Sequence, residues 1–200
     1  MIELNKSKVR QNQDAGRVTE GGFTYIDVMM AIGVMTIGML GLLMTMTTAM
    51  VATSQGQYEV VAKQFATSTM ESIFSARDIN NPNITSFAAI ANQANGGIFV
   101  NGYNPVYVLN TNAAGQVVPA TGPDGIMGTT DDNQAVNSTS PTPQAYPLFS
   151  RQIVITSIGT DSNGNTNLIK IVVTIKYQVN NLTLTQSMTS YMANYNTQSV

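Results

Sequence analysis

From Val28 to Tyr58 the chain carries no charged residue, and within that run Val28–Ala52 is built mainly from Met, Leu, Ile, Val, Ala and Gly. A helix needs roughly 20 mostly apolar residues to cross the hydrocarbon of a bilayer, so this segment is long enough to span one. Ahead of it, residues 1–22 hold Lys6, Lys8, Arg10 and Arg17 against Glu3, Asp14 and Glu20, a net +1. Basic residues flanking a span stay in the cytoplasm. The N-terminus is therefore expected to remain inside and the rest of the chain to be exported. Three plainer alternatives exist: a secretory signal peptide, a buried helix of a soluble protein, and a simple single-pass anchor. The first fits poorly, because signal peptides have apolar cores of about 7–15 residues followed by a small-residue cleavage site. Here Thr53-Ser54-Gln55-Gly56 is a poor cleavage candidate.

Composition removes most enzyme chemistry. The 200 residues include no His and no Cys, which excludes disulfides, thiolate nucleophiles, Ser-His-Asp triads and zinc sites built on those ligands. A carboxylate-pair enzyme acting on glycans needs two acids about 5–9 Å apart, and the adjacent Asp131-Asp132 does not supply them. The charged fraction is only 10% and the net charge is −2, so no basic surface for nucleic acid is expected. The residues point to a structural rather than a catalytic role.

The start of the apolar run is Gly21-Gly22-Phe23-Thr24-Tyr25-Ile26-Asp27-Val28. An acid deep in a membrane helix costs around 2.5–3.5 kcal/mol and normally has a partner, yet no Lys or Arg follows Asp27 before Lys63. Cleavage between Gly22 and Phe23 would create an α-amino group four residues before Asp27. Residues at that spacing share a helix face, so amine and carboxylate could meet within one chain or across two. In these residues the chain resembles the type IV prepilins and the type II secretion pseudopilins. Their signature is a short basic leader ending in Gly, then Phe-Thr-Leu-Ile-Glu and a long apolar helix. Tyr25 stands where Leu is usual and Asp27 where Glu is usual. The resemblance implies that a prepilin peptidase cuts after Gly22 and N-methylates Phe23. It also implies that Asp27 neutralises the amino terminus of a neighbouring subunit during assembly. A second likeness, to the PilV-like minor pilins, lies in Ile37-Gly38-Met39-Leu40-Gly41-Leu42-Leu43 and in Ala62–Ile73 with its Met70-Glu71, closed by Arg77.

The pattern predicts an α+β protein of pilin-like plan: a leader at 1–22, a spine helix at 23–77 with about 28–52 transmembrane, and an exported domain at 78–200. At 1.5 Å per residue the helix would be roughly 80 Å long, so its second half must leave the membrane. There Val61, Phe65, Met70, Ile73 and Phe74 recur at near-helical spacing, which predicts one face docked on the exported domain. Asp78–Asn83 reads as the helix stop. Residues 80–149, rich in Asn, Thr, Gly and Pro, read as loops, with a short helix at 86–94 and a strand at 103–109. Period-two alternation at 150–158, 168–179 and 182–192 predicts a three-stranded antiparallel meander, with turns at Asn163-Gly164 and Asn180-Asn181.

One candidate ligand site remains. Gly122–Asn133 concentrates Asp124, Asp131 and Asp132, three of the eight carboxylates that follow Gly22. Calcium takes six to eight oxygens from carboxylates, carbonyls and water on flexible loops, and glycine permits the tight turns that would aim them. Solvated Asp and Asn that merely bend the backbone explain the same residues. The stretch resembles the calcium loop of the major pseudopilins, and that resemblance implies Asp124, Asp131 and Asp132 as ligands. The implied partners are other pilin subunits, the prepilin peptidase, an inner-membrane assembly platform and, before assembly, lipid. The implied location is the bacterial inner membrane, single-pass, with the C-terminal domain periplasmic, and then a pilus or pseudopilus. The alternative is a membrane-anchored, calcium-dependent binding module that never polymerises.

Overall fold

A computed structural model describes residues 21–78, 87–109 and 118–194. Most of the leader and the expected helix stop at 79–83 lie outside the described residues. The chain divides into two units, Met1–Thr47 and Thr48–Val200, and a single helix, α1 (Tyr25–Asp78), contributes to both.

In the first unit every described residue is exposed, including Ile26, Ile37 and Leu42, each 70% or more accessible. The helix is long and apolar enough to cross a membrane. Its polar side chains are disposed for that solvent. Thr45 donates to the carbonyl of Leu42 at 2.8 Å, Thr47 to that of Leu43 at 3.0 Å, and Thr36 to that of Ile32. Hydroxyls bonded back to the preceding turn leave no unpaired donor for hydrocarbon to desolvate.

The second unit builds its core between the C-terminal part of α1 and a sheet. Ala62, Phe65, Ala66, Thr69, Met70, Ile73 and Ala76 are buried, a stripe at i, i+3 and i+4 spacing. Val61 and Phe74, also expected in that stripe, are partly buried at its margins. The alanines let the backbone of α1 approach the sheet closely, so they belong to the stripe although their apolar signal is weak.

Five strands form the sheet: β1 (Asn104–Leu109), β2 (Val118–Pro119), β3 (Gln144–Thr160), β4 (Thr166–Val179) and β5 (Leu182–Ala193), in order β2-β1-β3-β4-β5 and all antiparallel. The expected three-stranded meander is its larger part, extended by the β1–β2 pair. The region expected as a short helix at 86–94 instead contains a 3₁₀ turn at Phe87–Ala89, followed by another at Gln93–Asn95. Across the sheet, Ile153 faces Val173 and Val173 faces Met188. On the inner side Ile169, Ile171, Val173, Ile175, Tyr177 and Val179 are buried, which is the phase that alternation predicts. Asn180 and Asn181 have φ of 47° and 65°. These are the left-handed values that a two-residue hairpin turn requires, and Asn tolerates them. At one end of the core, Tyr58, Phe65, Tyr146, Phe149 and Tyr177 interlock with ring centroids 5.3–5.9 Å apart.

β1 pairs with β3 only as far as Asn104 opposite Arg151. Beyond that point the buried Asn92 continues the pattern. Its amide donates to Ile153 O and its carbonyl oxygen accepts from Ile155 N, both at 2.8 Å.

Candidate functional site

Two groups of residues were singled out: the segment Gly22, Phe23 and Asp27, and the acidic loop. In the first, Asp27 lies in the opening turn of α1 and is closed into a capping box with Thr24. The Thr24 hydroxyl donates to Asp27 Oδ2 at 2.7 Å, Thr24 N–H donates to the same oxygen at 3.0 Å, and Asp27 N–H returns to Thr24 Oγ1 at 3.3 Å. This reciprocal arrangement satisfies donors that the helix itself leaves orphaned. The signal for it, Thr-x-x-Asp ahead of an apolar run, is present in the sequence, and Thr24 belongs with the site. The carboxylate is therefore held at the helix start, pointed toward the residues that precede it. Phe23 is 90% exposed.

A Cβ built on Gly22 meets nothing within 4 Å, and its φ lies outside the left-handed region. Among the described residues nothing requires glycine there, as is also true of Gly21, Gly33, Gly38, Gly41 and Gly56.

The acidic loop is tightly folded. Gly122 has φ +63°, and a Cβ there would lie 2.5 Å from Asp131 O; at Gly128, φ +98°, it would lie 2.1 Å from Ile153 Cδ1. Both glycines are explained by close approach within the loop and to β3. Asp124 Oδ1 accepts from Ile126 N–H at 2.7 Å. Asp131 accepts from Asp124 N–H at 3.0 Å through Oδ2 and from the Thr129 hydroxyl at 2.6 Å through Oδ1. Asp132 is buried, accepts from Gly128 N–H at 2.8 Å, and forms an ion pair with Arg151 of β3. The same guanidinium donates to Thr69 on α1 at 3.2 Å, and Ser72 on α1 accepts from Met127 N–H at 2.9 Å. Helix, loop and sheet thus meet at one buried polar point.

Burial is the leading influence on two of these carboxyls. It pushes Asp124 up to about 6, opposed by the Ile126 N–H and reinforced by the charge of Asp131. It also raises Asp132 above the usual carboxylate range, with the attraction of Arg151 acting against it. For a buried pair the cost of desolvation can exceed the Coulombic gain.

The three aspartates do not converge on one point. Asp132 lines a cleft with Arg151, Asn104 and Tyr107, whereas Asp124 and Asp131 line another with Gln93 and Ile98. Among the described residues no group of three Asp, Glu, His or Cys side chains could hold a metal ion. The set Asp124, Asp131 and Asp132 expected for calcium does not fit the ion in this arrangement, because a cation from the chain already faces Asp132.

Arg151 is the residue that the sequence reading missed. A signal existed: Arg151 falls in the inward phase of β3 with Phe149, Ile153 and Ile155, where a charge demands a buried partner. Compared with known families, curated proteins and solved structures, the chain finds no match.

Proposed function

We propose that this chain is a structural subunit of a type IV pilus or type II secretion-type filament, most like a minor pilin or pseudopilin. It is cut by a prepilin peptidase between Gly22 and Phe23. The observation that carries this reading is the junction itself. A glycine that local folding does not require stands directly before an aromatic residue and a capped acid. Behind that junction runs an apolar helix whose first part buries nothing within the chain. The register of Gly22, Phe23 and Asp27 ahead of that helix is accounted for by an enzyme that cuts at the Gly22–Phe23 bond. The uncovered helix is accounted for by two successive solvents, lipid before assembly and the helices of neighbouring subunits after it.

The mechanism is assembly. The helix waits in the inner membrane with its leader cytoplasmic and its second unit periplasmic. Cleavage frees the amine of Phe23, and the platform extracts the subunit. The apolar face then packs against other helices, each Å² so removed from water contributing roughly 25 cal/mol. Pairing of Asp27 with the ammonium of a neighbouring Phe23 fixes the axial register. The test is intact-mass and N-terminal peptide analysis of the protein recovered from membranes and from sheared filaments. A chain beginning at N-methylated Phe23 is expected. Filament-borne protein still carrying Met1 would refute the reading, and membrane protein that keeps its leader and never enters filaments would favour a non-polymerising anchored module.

A further inference from the structure

We propose that the Arg151 guanidinium does for the 122–134 loop what a divalent cation does in a metal-stapled loop, so that the exported unit holds this loop without calcium. Arg151 and Asp132 side chains are each only 5% exposed. The guanidinium reaches Asp132 on the loop and Thr69 on α1 from its position on β3. It therefore ties together three elements distant in sequence, as a shared ion would, with directional N–H donors in place of a spherical charge.

Three of the four carboxylate oxygens of Asp131 and Asp132 already accept hydrogen bonds within the protein. Both oxygens of Asp131 accept hydrogen bonds from within the loop, and Asp132 Oδ2 accepts from Gly128 N–H and Arg151. Asp132 Oδ1 is buried without a hydrogen-bond partner among the described residues, but it belongs to the carboxylate that Arg151 neutralises, in a cleft apart from that of Asp124 and Asp131. Calcium demands six to eight oxygens. Recruiting Asp132 to the cleft of Asp124 and Asp131 would strand Arg151 buried without its counter-charge, which is strongly disfavoured. Gly122, Gly125 and Gly128 all have left-handed φ, and Gly122 also lies against the backbone of Asp131, so the turns of the loop account for its glycines without an ion.

The experiment uses the full chain extracted from membranes in detergent, so its outcome is independent of whether the protein polymerises. Thermal unfolding followed by circular dichroism, and protease resistance of the loop, are compared in excess chelator and in calcium at about 5 mM. That exceeds the roughly 10⁻⁴–10⁻³ M dissociation constants of extracellular calcium modules. Superimposable curves, with no saturable heat in a calcium titration, are expected. A midpoint that climbs saturably with calcium and falls on chelation overturns the proposal. Arg151→Gln, tested beside it, is expected to melt several degrees lower and to be cut within the loop in either condition. Melting and protease resistance equal to the parent would also overturn the proposal. If that variant fails to fold, the calcium titration of the parent still decides.

Discussion

Asp27 has two separable jobs, and three substitutions divide them. Asp27→Asn removes the charge but keeps an oxygen that can accept from Thr24 N–H, the bond now made at 3.0 Å. Thr24→Ala keeps the charge and removes the hydroxyl that gives at 2.7 Å and receives at 3.3 Å. Asp27→Ala removes both. The capping interaction is worth about 1 kcal/mol. An ionised group left without its partner inside hydrocarbon costs about 2.5–3.5 kcal/mol, and in a filament of Asp27→Asn subunits that group is the Phe23 ammonium. Converted at 1.4 kcal/mol per tenfold, the loss of incorporation should be about 5-fold for Thr24→Ala and roughly 60- to 300-fold for Asp27→Asn. The assay is quantitative immunoblotting of sheared filaments against the membrane pool. Alkaline extraction serves as the control that every variant is still inserted. Parental incorporation of Asp27→Asn, or an equal fall for Thr24→Ala, would show that Asp27 matters only as a cap and would refute the charge-pairing argument.

Three other outcomes are expected. Gly22→Ala, and bulkier residues more strongly, should leave the folded unit's melting unchanged while the leader persists. Mass spectrometry finding Phe23 at the N-terminus of the variant would contradict this. Ile73→Ala empties a fully buried position on α1 and should cost about 2–5 kcal/mol, whereas Val60→Ala, 56% exposed, should change little; chemical denaturation of the detergent-solubilised chain compares them. Stability should also depend on acidity in a stated direction. Asp124 is raised from 3.8 to about 6 in the folded protein, so the folded state binds the proton more tightly and stability should fall as pH rises from about 4 to about 6. Asp161 acts oppositely: its carboxyl is lowered, chiefly by the Asn165 N–H, and its contribution is lost as pH falls through the carboxylate range. Asp132, also raised by burial, adds to the decline, so Asp124→Asn should reduce it without abolishing it, and melting at a series of pH values checks this.

How much of this was readable beforehand varies with the kind of signal. α1 was legible nearly to the residue because nothing between Val28 and Tyr58 is charged and its later turns repeat an apolar spacing. β3, β4 and β5 were legible because alternation is a local property that each strand carries alone. β2 was not, since two residues, Val118 and Pro119, hold no period. The capping box of Thr24 is carried by the Thr-x-x-Asp spacing alone, which the stronger signal of a charge at the head of an apolar run masks. The loop is ambiguous in the sequence for a different reason. Three carboxylates and several glycines look alike whether they surround an ion or fold against an arginine, and Asp132 and Arg151 are separated by other residues that give no hint of their meeting. Only the phase of Arg151 within its strand carried that information.

The position of β5 at the sheet edge bears on how the chain withstands trimming. β5 pairs along its whole length with β4, from Leu168 opposite Ala193 to Val179 opposite Leu182, and Met192 near its far end is buried. A truncation after Asn181 would therefore strip the ladder from β4, which carries six buried apolar residues, and leave it as a long adhesive border. Exoproteases that nibble inward from residue 193 remove core, not tail. Constant-length carboxyl ends in material aged beside such enzymes, with any shortened molecules recovered in the pellet, are the practical corollary.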